Sequence, residues 1–379
     1  MQAEQDDLAK VAGVVAARTK SLDYQLYSEA LEGAGSTTAL VACPEKLQLL
    51  PNLCRQLSSK DVIERALNQI AEWRKQDIEV VTLGEPDYPK RLATIYEPPC
   101  ALFYKGRISP LSGVVASIAV VGSRKSDPQG CEIAFSFARE LALRGAVVIS
   151  GLAYGVDSQA HSGALAAEMP GATWAVLGGG LDLIYPASHF QLAQQIVING
   201  GALISQFEPG AKPFPQNFLS RNRVIAGLAD GVIVVQAAGR SGSLVTARFA
   251  LEEGRDVMAV PGAISDPQYA GSNALIKQGA HLITSVEDIL ELLPQLKTDG
   301  VGGSYSGKRM KIEELESENP TEKLVLKAVR DLGAVHLDAL TAKLPAIPAG
   351  EVYVAVLTLE LAEKLLRLPG NLISIKPSI

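Results

Sequence analysis

The residue types best suited to hold an anion cluster in residues 217–250, which read NFLSRNRVIAGLADGVIVVQAAGRSGSLVTARFA. Ser220 is a good helix N-cap, so the spacing predicts a helix whose first turn carries Arg221 and Arg223 beside backbone N–H groups that have no intrahelical partner. Arginine there opposes the helix dipole, which favours acids in the first turn; two of them imply an anion that both serve. The run GVIVVQA then reads as a strand buried on both faces. Its exit, Arg240-Ser241-Gly242-Ser243, offers a cation, two hydroxyls and flexible backbone N–H groups at the edge where open parallel sheets bind ligands. For either motif alone, a tight turn and surface ion pairs explain the residues equally well.

The same chemistry recurs at other strand exits. Gly122-Ser123-Arg124 is followed by Asp127-Pro128, an N-cap with proline at the first helical position. The next exit, SGLAYGVD, carries Gly151, Gly155 and Asp157, with His161 one helical turn beyond the aspartate. Gly178-Gly179-Gly180 precedes Tyr185-Pro186, and Lys212 with Phe214 follows the fourth strand. Five such exits at one edge are a ligand surface. Asp157 and His161 have two readings, an acid/base pair or anchors that hold a loop by hydrogen bonds; no nucleophile or metal partner accompanies them.

Several chemistries are excluded. There is no GxxxxGK[ST], and GSRKSDPQG is not GxGxxG, so nucleotide binding of those types loses its main support. GRSGS is not the GxSxG elbow of serine hydrolases. The four histidines and four cysteines (Cys43, Cys54, Cys100, Cys131) lack metal-ligand or disulfide spacing, which leaves a reduced, cytoplasmic chain with no metal or cofactor as the simplest expectation. Neither an export signal nor a membrane span is expected, for want of about 18 uninterrupted apolar residues.

Two or three domains are expected for 379 residues, and 47% hydrophobic with 20% charged residues describes a globular chain. The net charge of -6 argues against a uniformly basic nucleic-acid binder. Yet residues 212–255 hold six cations against three acids, so the sign reverses where the motifs are. Helical periodicity marks residues 1–84 as a helical domain of SAM or helix-hairpin-helix type, in which Gly33-Ala34-Gly35 is a phosphate contact or a plain turn. Residues 85–295 alternate apolar strands with amphipathic helices, the pattern of a parallel Rossmann-like sheet covered on both faces. Residues 296–319, glycine-rich and then charged, read as a flexible linker. Residues 320–379 read as short helices and a hairpin turned at Pro369-Gly370-Asn371, a winged-helix pattern. Glu351, Glu360 and Glu363 make its third helix acidic, which disfavours major-groove docking.

The blocks VGSR, SGLAYGVDSQAH, LGGGLDLIYP, SRNRVIAGLADGVIVVQA, SGSLVTARFALEEGRDVMAVPG and GSNALIKQGAHLIT occur in order, and together they resemble the DNA-processing protein A (DprA/Smf) family. That resemblance spans about residues 88–293. It implies an extended Rossmann fold in a homodimer that binds incoming single-stranded DNA during natural transformation and loads the RecA recombinase onto it, without catalysis. Carried over by position, it assigns DNA contacts to Gly122, Ser123, Arg124, Lys212, Phe218, Arg221, Asn222 and Arg223, with Phe218 as a base-stacking aromatic. Gly151, Gly155, Asp157, His161, Gly178, Gly179, Ser241, Gly242 and Ser243 then belong to supporting loops. The chain departs from the family pattern at Leu219, where proline is common, and at Gln206 and Gln236, where glutamate is.

Two rival readings remain. A Rossmann-type enzyme acting on a nucleotide or phosphoribosyl compound would carry a PGGxGT turn and a catalytic glutamate, where this chain has Pro261-Gly262-Ala263-Ile264. A purely protein-binding scaffold would have no affinity for oligonucleotides.

Overall fold

The computed structural model describes residues 2–19, 22–108, 116–297, 319–332, 335–344, 347–361, 365–368 and 372–375. It divides into two units, Met1–Gly303 and Ser304–Ile379.

The first unit starts with helices α1 (Gln2–Arg18), α2 (Tyr24–Ala34), α3 (Thr37–Ala42), α4 (Pro51–Leu57) and α5 (Lys60–Arg74). Asp23 caps α2 by accepting from the Leu26 N–H, and Ser36 caps α3 by accepting from that of Ala39. Gly35, at φ 81°, ends α2 in the left-handed conformation that glycine adopts without strain. The expected helical stretch ends early, because Ile78, Val80, Val81 and Thr82 bury their side chains and β1 (Glu79–Thr82) pairs antiparallel with β2 (Ala101–Gly106). Val11 and Val15 of α1 share one apolar core with Val80 and Leu102, and Trp73 meets Phe103 edge-on at 5.1 Å.

After the single-turn helix α6 (Lys90–Ala93) come β3 (Ala116–Val121), α7 (Pro128–Leu143), β4 (Ala146–Ser150), α8 (Val156–Leu165), β5 (Thr173–Val176), α9 (Phe190–Ile198) and β6 (Ala202–Ser205). Then follow α10 (Pro215–Leu228), β7 (Gly231–Val234), α11 (Ser243–Glu252), β8 (Asp256–Ala259), α12 (Ala270–Lys277), β9 (His281–Leu282) and α13 (Val286–Leu292). The sheet order is β1-β2-β6-β5-β4-β3-β7-β8-β9. From β6 to β9 every pairing is parallel, while β2 joins β6 antiparallel. Ala119 and Val121 enter one core and Ile118 and Val120 the other, as the two-residue period of a doubly covered strand requires. The chain leaves β3 toward β4 on one side and returns to β7 on the other, so the sheet's order reverses between β3 and β7. Open sheets leave a crevice at such a point.

One local expectation is overturned. The helix holding Arg221 and Arg223 starts at Pro215, with Phe214 as its cap residue, and Ser220 lies inside it. Proline at the first helical position supplies the fixed φ and lacks only an N–H that would have been unpaired. Both arginines therefore sit beyond the first turn, away from the dipole's positive end.

The second unit contains α14 (Pro320–Leu332), β10 (Val335–His336), α15 (Leu337–Lys343), α16 (Ala349–Leu361), β11 (Leu365–Leu368) and β12 (Leu372–Ile375). Its sheet runs β10-β12-β11, antiparallel throughout, over a core that includes Val325, Leu340, Val356 and Ile373. The expected turn at Pro369-Gly370-Asn371, Glu363, and residues 298–318 of the expected linker lie outside the described residues. Among the described residues no helix is long and apolar enough to cross a membrane.

Candidate functional site

A cleft of about 880 Å³ opens at the carboxyl edge where the β3 and β7 exits diverge. Gly122, Ser123 and Arg124 form one wall, and Arg240, Ser241, Gly242 and Ser243 another. Phe218, Arg221 and Asn222 of α10 face the same space, with Asp157 at the start of α8 and Tyr185 at the rim. The structure thus brings together most of the residues expected to contact a ligand.

The three cations expected on α10 and β3 have different surroundings. Arg124 is exposed, with its guanidinium 5.3 Å from the Phe218 ring centroid. Arg221 is 3% exposed; its Nη1 donates to the carbonyls of Gly151, at 2.6 Å, and Val176, joining α10 to the ends of β4 and β5. Burial lowers its pKa to about 10 against the opposing field of Asp157, so it stays charged at neutral pH. A side chain at Gly151 would begin 2.3 Å from Arg221 Nη1, which is why the second exit needs glycine. Arg223 points elsewhere, pairing with Glu97 and lying 5.1 Å from the Phe249 centroid. It does not line the cleft, and neither does the exposed Lys212, whose carbonyl accepts from Asn217 Nδ2 at 3.2 Å.

The loops that set these groups are tied down. Asn222 accepts from Arg221 Nε at 3.2 Å and donates to the Gly242 carbonyl at 3.3 Å, fastening α10 to the turn before α11. Ser241 and Ser243 share a hydroxyl hydrogen bond of 2.8 Å. Ser123 accepts from the Lys125 N–H through its Oγ. Gln236, at the end of the β7 exit, accepts from Ser126 Oγ and the Asp127 N–H and donates to the Asp127 carboxylate at 2.6 Å. The amide makes that last bond, which a glutamate could make only when protonated. The Gly179 carbonyl accepts from Ser205 Oγ at 2.7 Å, and Gly155 leads into α8 at φ 73°.

Asp157 accepts from the N–H groups of Gly151, at 3.1 Å, and Ala153, at 3.4 Å; burial raises its carboxyl pKa while Arg221 pulls it down. His161 is fully buried and its Nδ1 pairs with Thr173 Oγ1 at 2.7 Å. Thr173 gives its own proton to the Val148 carbonyl, so Nδ1 carries the hydrogen. Burial pushes His161 down to about 3, which keeps the imidazole neutral. Asp157 Oδ2 and His161 Nδ1 are thus spent on the scaffold, while His161 Nε2 is buried without a hydrogen-bond partner. Among the described residues no group of histidine, cysteine and carboxylate side chains is arranged to hold a metal ion.

Two cleft residues were given no ligand role in the sequence: Lys125 adds an exposed cation to the rim and Tyr185 an aromatic ring. Arg240, offered there as the cation of a strand exit but not among the assigned DNA contacts, adds another exposed cation. The signal for Arg240 was its place at a strand exit; which other exit it faces depends on strand order.

Fold and cleft together define a Rossmann-like protein with a cation-rimmed crevice at the switch point of its sheet, suited to phosphate-bearing ligands. The chain belongs to the DNA recombination-mediator protein A family, whose sequence model matches residues 79–294. It is 42% identical over 226 residues to the DNA processing protein DprA of Bacillus subtilis (strain 168), covering 60% of this chain and 75% of that protein. The X-ray structure of DprA from Streptococcus pneumoniae superposes with a TM-score of 0.59 and 34% identity, over 74% of this chain and 97% of that one. The structure of DNA processing protein A from Helicobacter pylori, described for its single-stranded DNA binding mode, gives 0.51 and 30%, over 57% and 96%.

Proposed function

We propose that the cleft at the β3/β7 switch point binds single-stranded DNA without catalysis, and that the protein loads RecA recombinase onto that strand during DNA uptake and natural transformation. The observation that carries the reading is the convergence of Arg124, Lys125 and Arg240 on one crevice that also holds aromatic rings. Cations follow a phosphate backbone and aromatic faces take unstacked bases, a combination that fits one strand and not a closed duplex. The single-stranded DNA binding named for the H. pylori relative supports the assignment. A cytoplasmic homodimer, with residues 1–84 as a helical domain, 85–295 as the DNA-binding domain, 296–319 as linker and 320–379 as a winged helix, completes the proposal.

Asp157 is bonded to backbone N–H groups, and His161 is fully buried, neutral and outside the cleft lining, which counts against the nucleotide-processing alternative, since that needs a group able to move a proton to or from the ligand. Titrating labelled single- and double-stranded oligonucleotides into the purified protein at several salt concentrations tests the binding. Equal affinity for both, or none, overturns it. RecA loading is measured as faster filament formation on strands coated with single-strand-binding protein, and an unchanged rate overturns that part.

A further inference from the structure

We propose that the outer face of α16, in the second unit, is a docking surface for a protein segment that combines an arginine or lysine with apolar side chains. The helix buries Val352, Ala355, Val356 and Leu359 in the core of its unit, at the spacing of one helical face. A surface helix ordinarily turns charged side chains the other way. On α16 the other side is apolar as well: Val354 is 64% exposed, Leu357 54% and Tyr353 43%. Leu357 lies three residues from Val354 and four from Tyr353, so the three form one stripe along the helix. A contiguous apolar stripe with a polar border is the mark of a contact between proteins.

Beside the stripe a groove of about 260 Å³ runs between the start of α14 and α16. Val354 and Ala355 give it an apolar lining. Two of its polar groups serve the helices themselves: Thr358 Oγ1 donates to the Val354 carbonyl at 3.0 Å, and Asn319 Oδ1 accepts from the Thr321 N–H at 2.9 Å. Its charged groups are both acids, Glu322 on α14 and Glu351 on α16. A long cationic side chain matches that arrangement, with its aliphatic stem on the apolar lining and its head between the carboxylates. An apolar residue one helical turn away in the same segment then rests on Leu357.

Charge separates the possible occupants. A nucleic-acid backbone is repelled, because α16 carries Glu351 and Glu360 and no cation. A second copy of the same face would set these acids against their like. A basic and apolar protein segment satisfies stripe and groove together.

The probes are two labelled synthetic helical peptides with the same leucines, one carrying arginine and the other glutamate at every charged position, titrated into the full chain by fluorescence anisotropy. The arginine peptide should bind and the glutamate peptide should not; equal affinity, or no binding of the arginine peptide, overturns the proposal. Leu357→Ser should weaken the arginine peptide roughly tenfold at every salt concentration. Glu351→Gln should weaken it several-fold at low salt and less at high salt. Both side chains are exposed, so circular dichroism and the thermal midpoint should match the unaltered protein; Val354→Ser alters the same stripe and replaces a variant that fails to fold. An arginine peptide that binds both variants as well as the unaltered chain sits elsewhere and overturns the assignment. A Leu357→Ser protein that keeps the peptide but loses oligonucleotide affinity, or changes its sedimentation coefficient, gives the face to nucleic acid or to a second copy and overturns it too.

Discussion

Alanine at each of three arginines separates a strand contact, a structural pin and a bystander within one short stretch of space. Arg124 is one of three exposed cations of the cleft, with Lys125 and Arg240, so Arg124→Ala should flatten the slope of log affinity against log salt by about 0.7. Between about 50 and 200 mM salt, that slope change alters the loss of affinity by about 2.5-fold. Arg221→Ala acts through the fold. It strips the donor from the Gly151 and Val176 carbonyls, and each buried acceptor left unpaired costs about 1–3 kcal/mol. Burial already penalises the Arg221 cation, and that penalty is relieved in the variant, so a net loss of about 2–4 kcal/mol is expected. In a unit of this size that lowers the thermal midpoint by about 3–6 °C. Arg223→Ala breaks a partly exposed pair with Glu97, worth under about 1 kcal/mol, and should leave the salt slope alone. Thermal unfolding and salt-dependent oligonucleotide titration on the three variants give both readouts. An Arg223→Ala protein that flattens the slope as Arg124→Ala does, or an Arg221→Ala protein that flattens it at an unchanged midpoint, refutes the division.

His161 gives a pH signature. Its pKa falls from 6.5 in the unfolded chain to about 3 on folding, so its contribution is complete above about pH 7 and fades as pH drops; roughly 2 kcal/mol goes between pH 6.5 and 5. Urea unfolding of the unaltered protein and His161→Gln at both pH values should show that difference, Asp157 being common to both; parallel losses would contradict it. Gln236→Glu sets a second carboxylate against Asp127, so the variant should lose at least roughly 1 kcal/mol as pH rises from 5 to 8. Thermal midpoints across that range check it. Gly178→Ala puts a methyl group 2.8 Å from a Phe218 ring carbon; the ring must move and carry Arg124 with it. Affinity for single strands should fall several-fold, with a stability loss of about 1–3 kcal/mol, read by oligonucleotide titration and calorimetry.

The strands and their exits were legible because each signal is local. Runs such as SIAVV and GVIVV are apolar without interruption, as burial on both faces demands, and glycine and serine follow at once. The strand EVVT was not legible: it is four residues long and starts only five residues after the last residue of a helix. The start of α10 was misplaced because Ser220 has the chemistry of a cap, while Pro215, the residue that starts the helix, looked like part of a loop. The fates of Arg221 and Arg223 lay beyond any spacing rule. Two residues apart on a helix means roughly opposite faces, and which face is buried is decided by where β4 and β5 end. Arg240 became part of the cleft only because β7 returns beside β3, a matter of strand order.

The antiparallel edge also sets a timetable for synthesis. Phe103 of β2 lies opposite Ser205 of β6, about a hundred residues later in the chain. At about 5–20 residues per second a ribosome takes about 5–20 s to deliver that partner. Until then the N-terminal helices, β1 and β2 exist with one strand edge open, and an open edge is a template for pairing with another nascent chain. The pairing that joins the two N-terminal strands to the parallel part of the sheet thus waits for β6, and the β2 edge stays open for longer than the helices in front of it would require.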